Sequence, residues 1–138
     1  MSEFWPERKV LITGGNGFLG AALQRNLADL APGQVICPTS EAYDLRLVDD
    51  VDAMFTDHQP DIVIHLAARV GGIGANMARP ADLYLDNLLM GTYVLDSARR
   101  HSIAKTVIIG TICSYPKVTA VPFSEDSLWT GYPEETNA

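Results

Sequence analysis

Residues 13–20 read Thr-Gly-Gly-Asn-Gly-Phe-Leu-Gly, and they constrain the fold more than any other stretch. They follow a short apolar run, Lys9-Val10-Leu11-Ile12, and lead into Ala21-Ala22-Leu23-Gln24-Arg25-Asn26-Leu27. A buried strand therefore turns directly into a helix through a G-x-x-G-x-x-G spacing at Gly14, Gly17 and Gly20. That corner suits a diphosphate, because missing Cβ atoms let it reach the backbone while the helix start offers unpaired N–H groups. The same glycines could serve an ordinary turn; the flanking strand and helix favour the dinucleotide reading.

The remaining pattern alternates strands and helices. Apolar runs predict strands at about 9–13, 34–37, 62–66 and 106–110, with a short additional strand at Tyr43-Asp44-Leu45. Helices are expected at about 18–30, 48–58 and 80–101. On the last of these, Leu83, Asn87, Leu88, Gly91, Val94, Leu95 and Ala98 are expected to share a face. Residues 115–138 show little periodicity and read as loop. Continuous apolar strands separated by helices indicate a parallel sheet covered on both faces. With right-handed crossovers the arrangement is a doubly wound α/β fold of order 3-2-1-4-5, its crevice at the carboxyl ends of the central strands.

Length and composition narrow the function. One domain fits 138 residues, a size that buries about two-thirds of the unfolded surface. A net charge of −7, with no basic run longer than Arg99-Arg100, argues against a nucleic-acid partner. No apolar run approaches the ~20 residues of a membrane span, and the amino terminus lacks signal-peptide character. Cys37 and Cys113 read as reduced thiols on separate strands of a cytoplasmic protein. His65 reads as a buried packing residue, with no neighbours at metal-ligand spacing.

Several segments together resemble a known family. Thr13-Gly14-x-x-Gly17-x-x-Gly20, Asp44-Leu45, His65-Leu66-Ala67-Ala68 and Asn87-x-x-x-Gly91-Thr92 are similar to the extended short-chain dehydrogenases acting on nucleotide sugars. Three further stretches narrow the likeness to the GDP-L-fucose synthase family, the 3,5-epimerase/4-reductases of a GDP-4-keto-6-deoxy sugar. They are Ala67-Ala68-Arg69-Val70-Gly71-Gly72-Ile73-x-Ala75-Asn76, Gly110-Thr111-Ile112-Cys113-Ser114-Tyr115-Pro116-Lys117 and Glu134-Glu135-Thr136-Asn137.

The resemblance implies a Rossmann-like fold and a cofactor, NADP or NAD. It places the diphosphate on Gly14, Asn16, Gly17, Phe18, Leu19 and Gly20, although the Phe18 and Leu19 side chains are expected to pack on the sheet. It places the adenine near Asp44 and Leu45, where Asp44 read alone is equally a turn or cap residue. It lets the ribose approach Ala67 and Ala68, and counts Leu66, Asn87, Ile109 and Gly110 among the cofactor-binding residues, with Asn87 supporting the catalytic group from behind. Thr111 corresponds to the hydroxyl that hydrogen-bonds the reacting carbonyl. Cys113 corresponds to the thiolate base of epimerisation, against the plain reading of a small apolar filler.

One departure stands out. The family's Y-x-x-x-K pair is missing, since none of Tyr43, Tyr84, Tyr93, Tyr115 or Tyr132 has a lysine four residues on. Matching the segments puts that pair just past Ala138, so the 138 residues are expected to be a cofactor-binding half, inactive alone. The alternative is a stand-alone dinucleotide-binding or self-associating module. The resemblance also implies a nucleotide-sugar substrate and a homodimer formed through helix 80–101, with Leu88 and Leu95 bared in this half. NAD specificity calls for an acid at the end of the second strand, where this chain has Cys37-Pro38-Thr39-Ser40 and Glu41 slightly late. NADP calls for an arginine, where it has Asn16 and Pro38-Thr39.

Overall fold

The computed structural model describes residues 4–135. Its core is one sheet of four parallel strands: β1 (Lys9–Thr13), β2 (Gln34–Ile36), β3 (Ile62–His65) and β4 (Lys105–Ile108), in the order β2-β1-β3-β4. Helices α1 (Phe18–Ala28), α2 (Val48–His58), α3 (Ile73–Ala78) and α4 (Pro80–Arg100) connect them. The register pairs Leu11 with Ile36 on one side and with Val63 on the other. Short 3-10 turns occupy Ile112–Ser114 and Glu125–Ser127.

Side chains alternate across the strands, so the sheet builds two cores. Leu11, Ile36 and Val63 point to one face, where Val51, Met54 and Phe55 of α2 and Val94 and Ala98 of α4 cover them. Val10, Ile12 and Ile62 point to the other, where α1 supplies Leu27 with Leu23 at the edge. Helices on both faces make the sheet doubly wound. Phe55, Met54, Val51 and Val94 are fully buried, and each such side chain stabilises by about 1.5–3 kcal/mol.

The helix ends follow their charges. Asp49 and Asp50 sit in the first turn of α2, and Arg99 and Arg100 in the last turn of α4, each favourable to the helix dipole. Pro80 opens α4, where its missing N–H costs nothing. Arg100 also pairs with Asp52, which His101 Nε2 meets at 3.0 Å, tying the end of α4 to α2.

Three sequence expectations are corrected. The strand expected at residues 43–45 does not form, so the order lacks its outermost member. Asp44 instead accepts the Arg46 N–H through Oδ1 (3.0 Å), and its carbonyl accepts the Leu47 N–H (2.9 Å). Such local bonds compete with a sheet ladder. The buried stripe of α4 runs through Met90, Val94, Ser97 and Ala98, while Leu88 and Leu95, expected to be bared, are each 49% exposed. Phe18, expected against the sheet, is 98% exposed, and Leu19 is also exposed. Both lie in the first turn of α1, ahead of the residues, Leu23 and Leu27, that pack against the sheet. Cys113 lies in a 3-10 turn and Cys37 just beyond β2, so neither is on a strand.

The described residues divide into two compact units. The first takes in the chain up to Arg69 together with Tyr84–Ile109, and therefore the whole sheet. The second takes in Val70–Leu83 and the chain from Gly110 on. Among its described residues, Tyr115 stacks on Phe123 at 4.9 Å, and the Lys117 N–H donates to the Tyr132 carbonyl. No helix among the described residues is long and apolar enough to cross a membrane.

Candidate functional site

The glycine corner is shaped first by the chain itself. Gly14 has φ +68°, and a Cβ there would stand 2.7 Å from the Ala67 nitrogen. A Cβ on Gly20 would stand 2.3 Å from the Gly15 carbonyl oxygen. These two glycines let β1, the loop after β3 and α1 close up, independently of any ligand. Gly17 differs: its φ is −79°, and a Cβ would meet only the Gly14 oxygen at 3.2 Å. The Gly17 N–H closes the turn on that oxygen at 3.0 Å. Gln24 of α1 donates from Nε2 to the Gly15 carbonyl, and Cys37 packs beneath Gly15. Burial pushes the Cys37 thiol pKa up, which suits packing rather than nucleophilic chemistry.

Gly17 is also the N-cap of α1. No side chain caps this helix, and its first turn carries no carboxylate. The first intrahelical bond runs from the Ala21 N–H to the Gly17 oxygen, so the N–H groups of Phe18, Leu19 and Gly20 precede the ladder. An anion placed there would meet donors and the positive end of the dipole.

A buried pair fixes the neighbouring strand end. Thr13 Oγ1 and His65 Nδ1 share a 2.7 Å hydrogen bond, and the Ala67 N–H donates to the same Thr13 oxygen at 3.3 Å. His65 is buried as expected, and desolvation lowers its pKa. Asn87 of α4 takes hold of the following loop from both sides. Its Oδ1 accepts the Arg69 N–H and its Nδ2 donates to the Arg69 carbonyl, each at 2.8 Å. The partner that an asparagine on this helix needs is therefore the backbone of the loop after β3.

These elements enclose a cavity of about 820 Å³ at the carboxyl ends of β1, β2 and β3. Thr13, Gly14, Asn16 and Gly17 form its floor; Leu66, Ala67, Ala68 and Arg69 form one wall. The opposite wall is the loop of Pro38, Thr39, Ser40 and Glu41, continuing through Tyr43, Asp44, Leu45 and Arg46. The volume falls within the range of ligand sites. Asp44 N–H donates to Asp50 Oδ2 at 2.9 Å, so α2 anchors this wall. Hydrogen bonds from the Arg46 side chain and backbone hold the Asp44 carboxyl down at about 2. Asp44 thus organises the turn, as its plain reading expects, and also lines the cavity.

The cavity gathers Gly14, Asn16, Gly17, Asp44, Leu45, Leu66, Ala67 and Ala68 from the sequence expectations. Phe18, Leu19, Gly20, Asn87 and Ile109 are not in its lining; Gly20 and Asn87 act behind it, and Ile109 follows β4. Gly110, Thr111 and Cys113 belong to the second unit. There the Thr111 Oγ1 caps the 3-10 turn by accepting the Cys113 N–H at 3.2 Å, and Cys113 is exposed. Thr136 and Asn137 lie outside the described residues. The sequence reading missed Tyr43, Arg46, Met54 and Met90 as lining residues. Their helical or turn positions carried no motif; only the Asp44-Leu45 landmark pointed toward that wall.

Comparison with known proteins follows the same lines. The NAD dependent epimerase/dehydratase family matches residues 10–137. GDP-L-fucose synthase 1 of Arabidopsis thaliana is 36% identical over 129 residues, covering 94% of this chain and 40% of that protein. A GDP-mannoheptose C4 reductase of Campylobacter jejuni, solved with NADP bound, superposes with a TM-score of 0.89 at 27% identity, covering 96% of this chain and 42% of that one. A GDP-L-fucose synthetase of Naegleria fowleri bound to NADP gives 0.82 at 28% identity, covering 96% and 39%. The chain spans about two-fifths of the length of these relatives.

Proposed function

This chain belongs to the NAD dependent epimerase/dehydratase family, and from that premise we infer that its first unit holds a nicotinamide dinucleotide, NADP or NAD. The diphosphate would rest on the backbone N–H groups at the start of α1, above Gly14, Asn16 and Gly17. Asp44 and Leu45 would border the adenine, and Ala67 and Ala68 would leave room for a ribose. One observation carries this reading: α1 starts uncapped and free of first-turn carboxylates, and its N-cap Gly17 lines an 820 Å³ cavity at the carboxyl ends of three parallel strands. When bound, the cofactor supplies a hydride donor or acceptor. The chain's own contribution is to bind and orient it, through a loop whose shape Gly14, Gly20, Thr13 and Asn87 fix beforehand.

We place this unit in a nucleotide-sugar epimerase/reductase resembling the GDP-L-fucose synthases. In that setting Thr111 would donate its hydroxyl proton in a hydrogen bond to the sugar's keto oxygen as negative charge develops there. Cys113, ionised, would remove the proton on a carbon beside that ketone. The tyrosine and lysine of Y-x-x-x-K do not occur within these 138 residues, so the cofactor-holding role is the one assigned to them, in the cytoplasm. Calorimetric titration with NADPH and NADH tests the reading directly. Saturable binding of either at one site per chain is expected; binding of neither overturns it.

A second reading, self-association through α4, is favoured by one specific observation. Leu88 and Leu95 lie a heptad apart and are half exposed, beside the more exposed Tyr84 and Leu85. Sedimentation velocity should show a dimer that Leu88→Lys with Leu95→Lys converts to monomer; a monomeric parent chain overturns this reading.

A further inference from the structure

We propose that the loop after β2 reads the adenosine ribose in its unphosphorylated form, with the Glu41 carboxylate accepting a hydrogen bond from the ribose 2′-hydroxyl, so that the site takes NAD(H) in preference to NADP(H). This deepens the cofactor reading and rests on it.

Glu41 stands five residues past Ile36, the last residue of β2, and beyond the strand end where an acid is normally sought. The chain nevertheless folds it back into the cavity wall beside Pro38, Thr39 and Ser40. The Ala42 and Tyr43 N–H groups both donate to the Thr39 carbonyl, closing the turn that brings it there. Its carboxylate receives hydrogen bonds from its own backbone N–H and from the Thr39 hydroxyl, which lower its pKa and keep it ionised. An ionised carboxylate is an acceptor only. It can accept a hydrogen bond from a ribose hydroxyl, whereas a 2′-phosphate would bring like charge against it.

The cations of the cavity are already engaged. Arg46 grips Asp44 in a fork, Nε to Oδ1 at 2.9 Å and Nη2 to Oδ2 at 2.5 Å, and its Nη1 lies 3.8 Å from Asp86. Arg69 is paired with the same Asp86. The glycine loop contributes the neutral Asn16 where a cation would help a phosphate. A 2′-phosphate would therefore have to draw an arginine away from a carboxylate, while facing Glu41 without compensation. The solved relatives crystallised with NADP make this a distinguishing property of the present chain.

The test is calorimetric titration of the chain with NADH and NADPH, in the parent and in Glu41→Gln, with 2′-AMP and 5′-AMP as competitors. The parent should bind NADH about tenfold more tightly or better, the size of one hydrogen bond to a charged group. Glu41→Gln should narrow that gap to within about threefold by weakening NADH and admitting NADPH. 5′-AMP should compete better than 2′-AMP in the parent alone. Glu41 is exposed, so unchanged circular dichroism and melting temperature will separate a binding effect from a folding one. Equal or tighter binding of NADPH by the parent overturns the inference and leaves the cofactor reading standing. A gap that persists in Glu41→Gln overturns the assignment to Glu41. Binding of neither nucleotide removes the cofactor reading itself.

Discussion

At Gly20 a methyl group would stand 2.3 Å from the Gly15 carbonyl oxygen, while at Gly17 the nearest atom is 3.2 Å away. The two glycines look alike in the motif but answer to different demands, one to the fold and one to an open surface. Gly20→Ala is expected to destabilise by about 1–3 kcal/mol through overpacking. Gly17→Ala is expected to cost about 1 kcal/mol or less while weakening dinucleotide binding. Urea denaturation of both variants beside their titrations checks the pair, and equal destabilisation contradicts it. His65 makes a pH prediction. Burial lowers its folded-state pKa below the ordinary 6.5, so the unfolded chain binds the proton more readily. This contribution is complete above the ordinary pKa and is lost as pH falls from there toward the depressed value. The urea midpoint should drop between about pH 7.5 and 5.5, and less steeply in His65→Gln. A flat parent profile contradicts it. The role of His65 was legible from its place in an apolar run; its bond to Thr13 was not, because 52 residues separate them.

Among the elements, the strands and α1, α2 and α4 were legible because each presents a period or an unbroken apolar run. What the sequence hid were choices settled by single polar groups. Asp44 turned an expected strand into a turn by accepting the Arg46 N–H. Residues 73–78, too short and glycine-containing to show a period, form α3. On α4 several apolar residues compete for the sheet, and only docking decides that Met90, Val94 and Ala98 win. Two predictions belong here. Phe55→Ala, emptying the center of the α2 face, should cost about 3–5 kcal/mol in urea denaturation. Asn87→Ala removes both bonds to the Arg69 backbone and should cost about 1–3 kcal/mol, with faster amide exchange at Arg69. Unchanged exchange there would contradict the clamp.

Over the whole molecule, secondary structure is unevenly shared. Among the described residues the sheet and both apolar cores lie in the first unit, while the second has short helical segments and 3-10 turns. Amides of β1 and β3, buried at the centre of the sheet, should be the slowest to exchange, and those of residues 110–135 faster. The wall that forms the cavity belongs to the first unit, so cofactor binding is a property that this chain can be asked for directly. The most direct test is an NMR titration of the ¹⁵N-labelled chain with NADH. The account predicts the largest, saturable amide shifts at Gly14, Asn16, Gly17, Phe18, Leu19 and Gly20, with smaller ones at Ala67 and Ala68. Shifts absent from the start of α1 while others saturate elsewhere, or no shifts with NADH or NADPH, would contradict it.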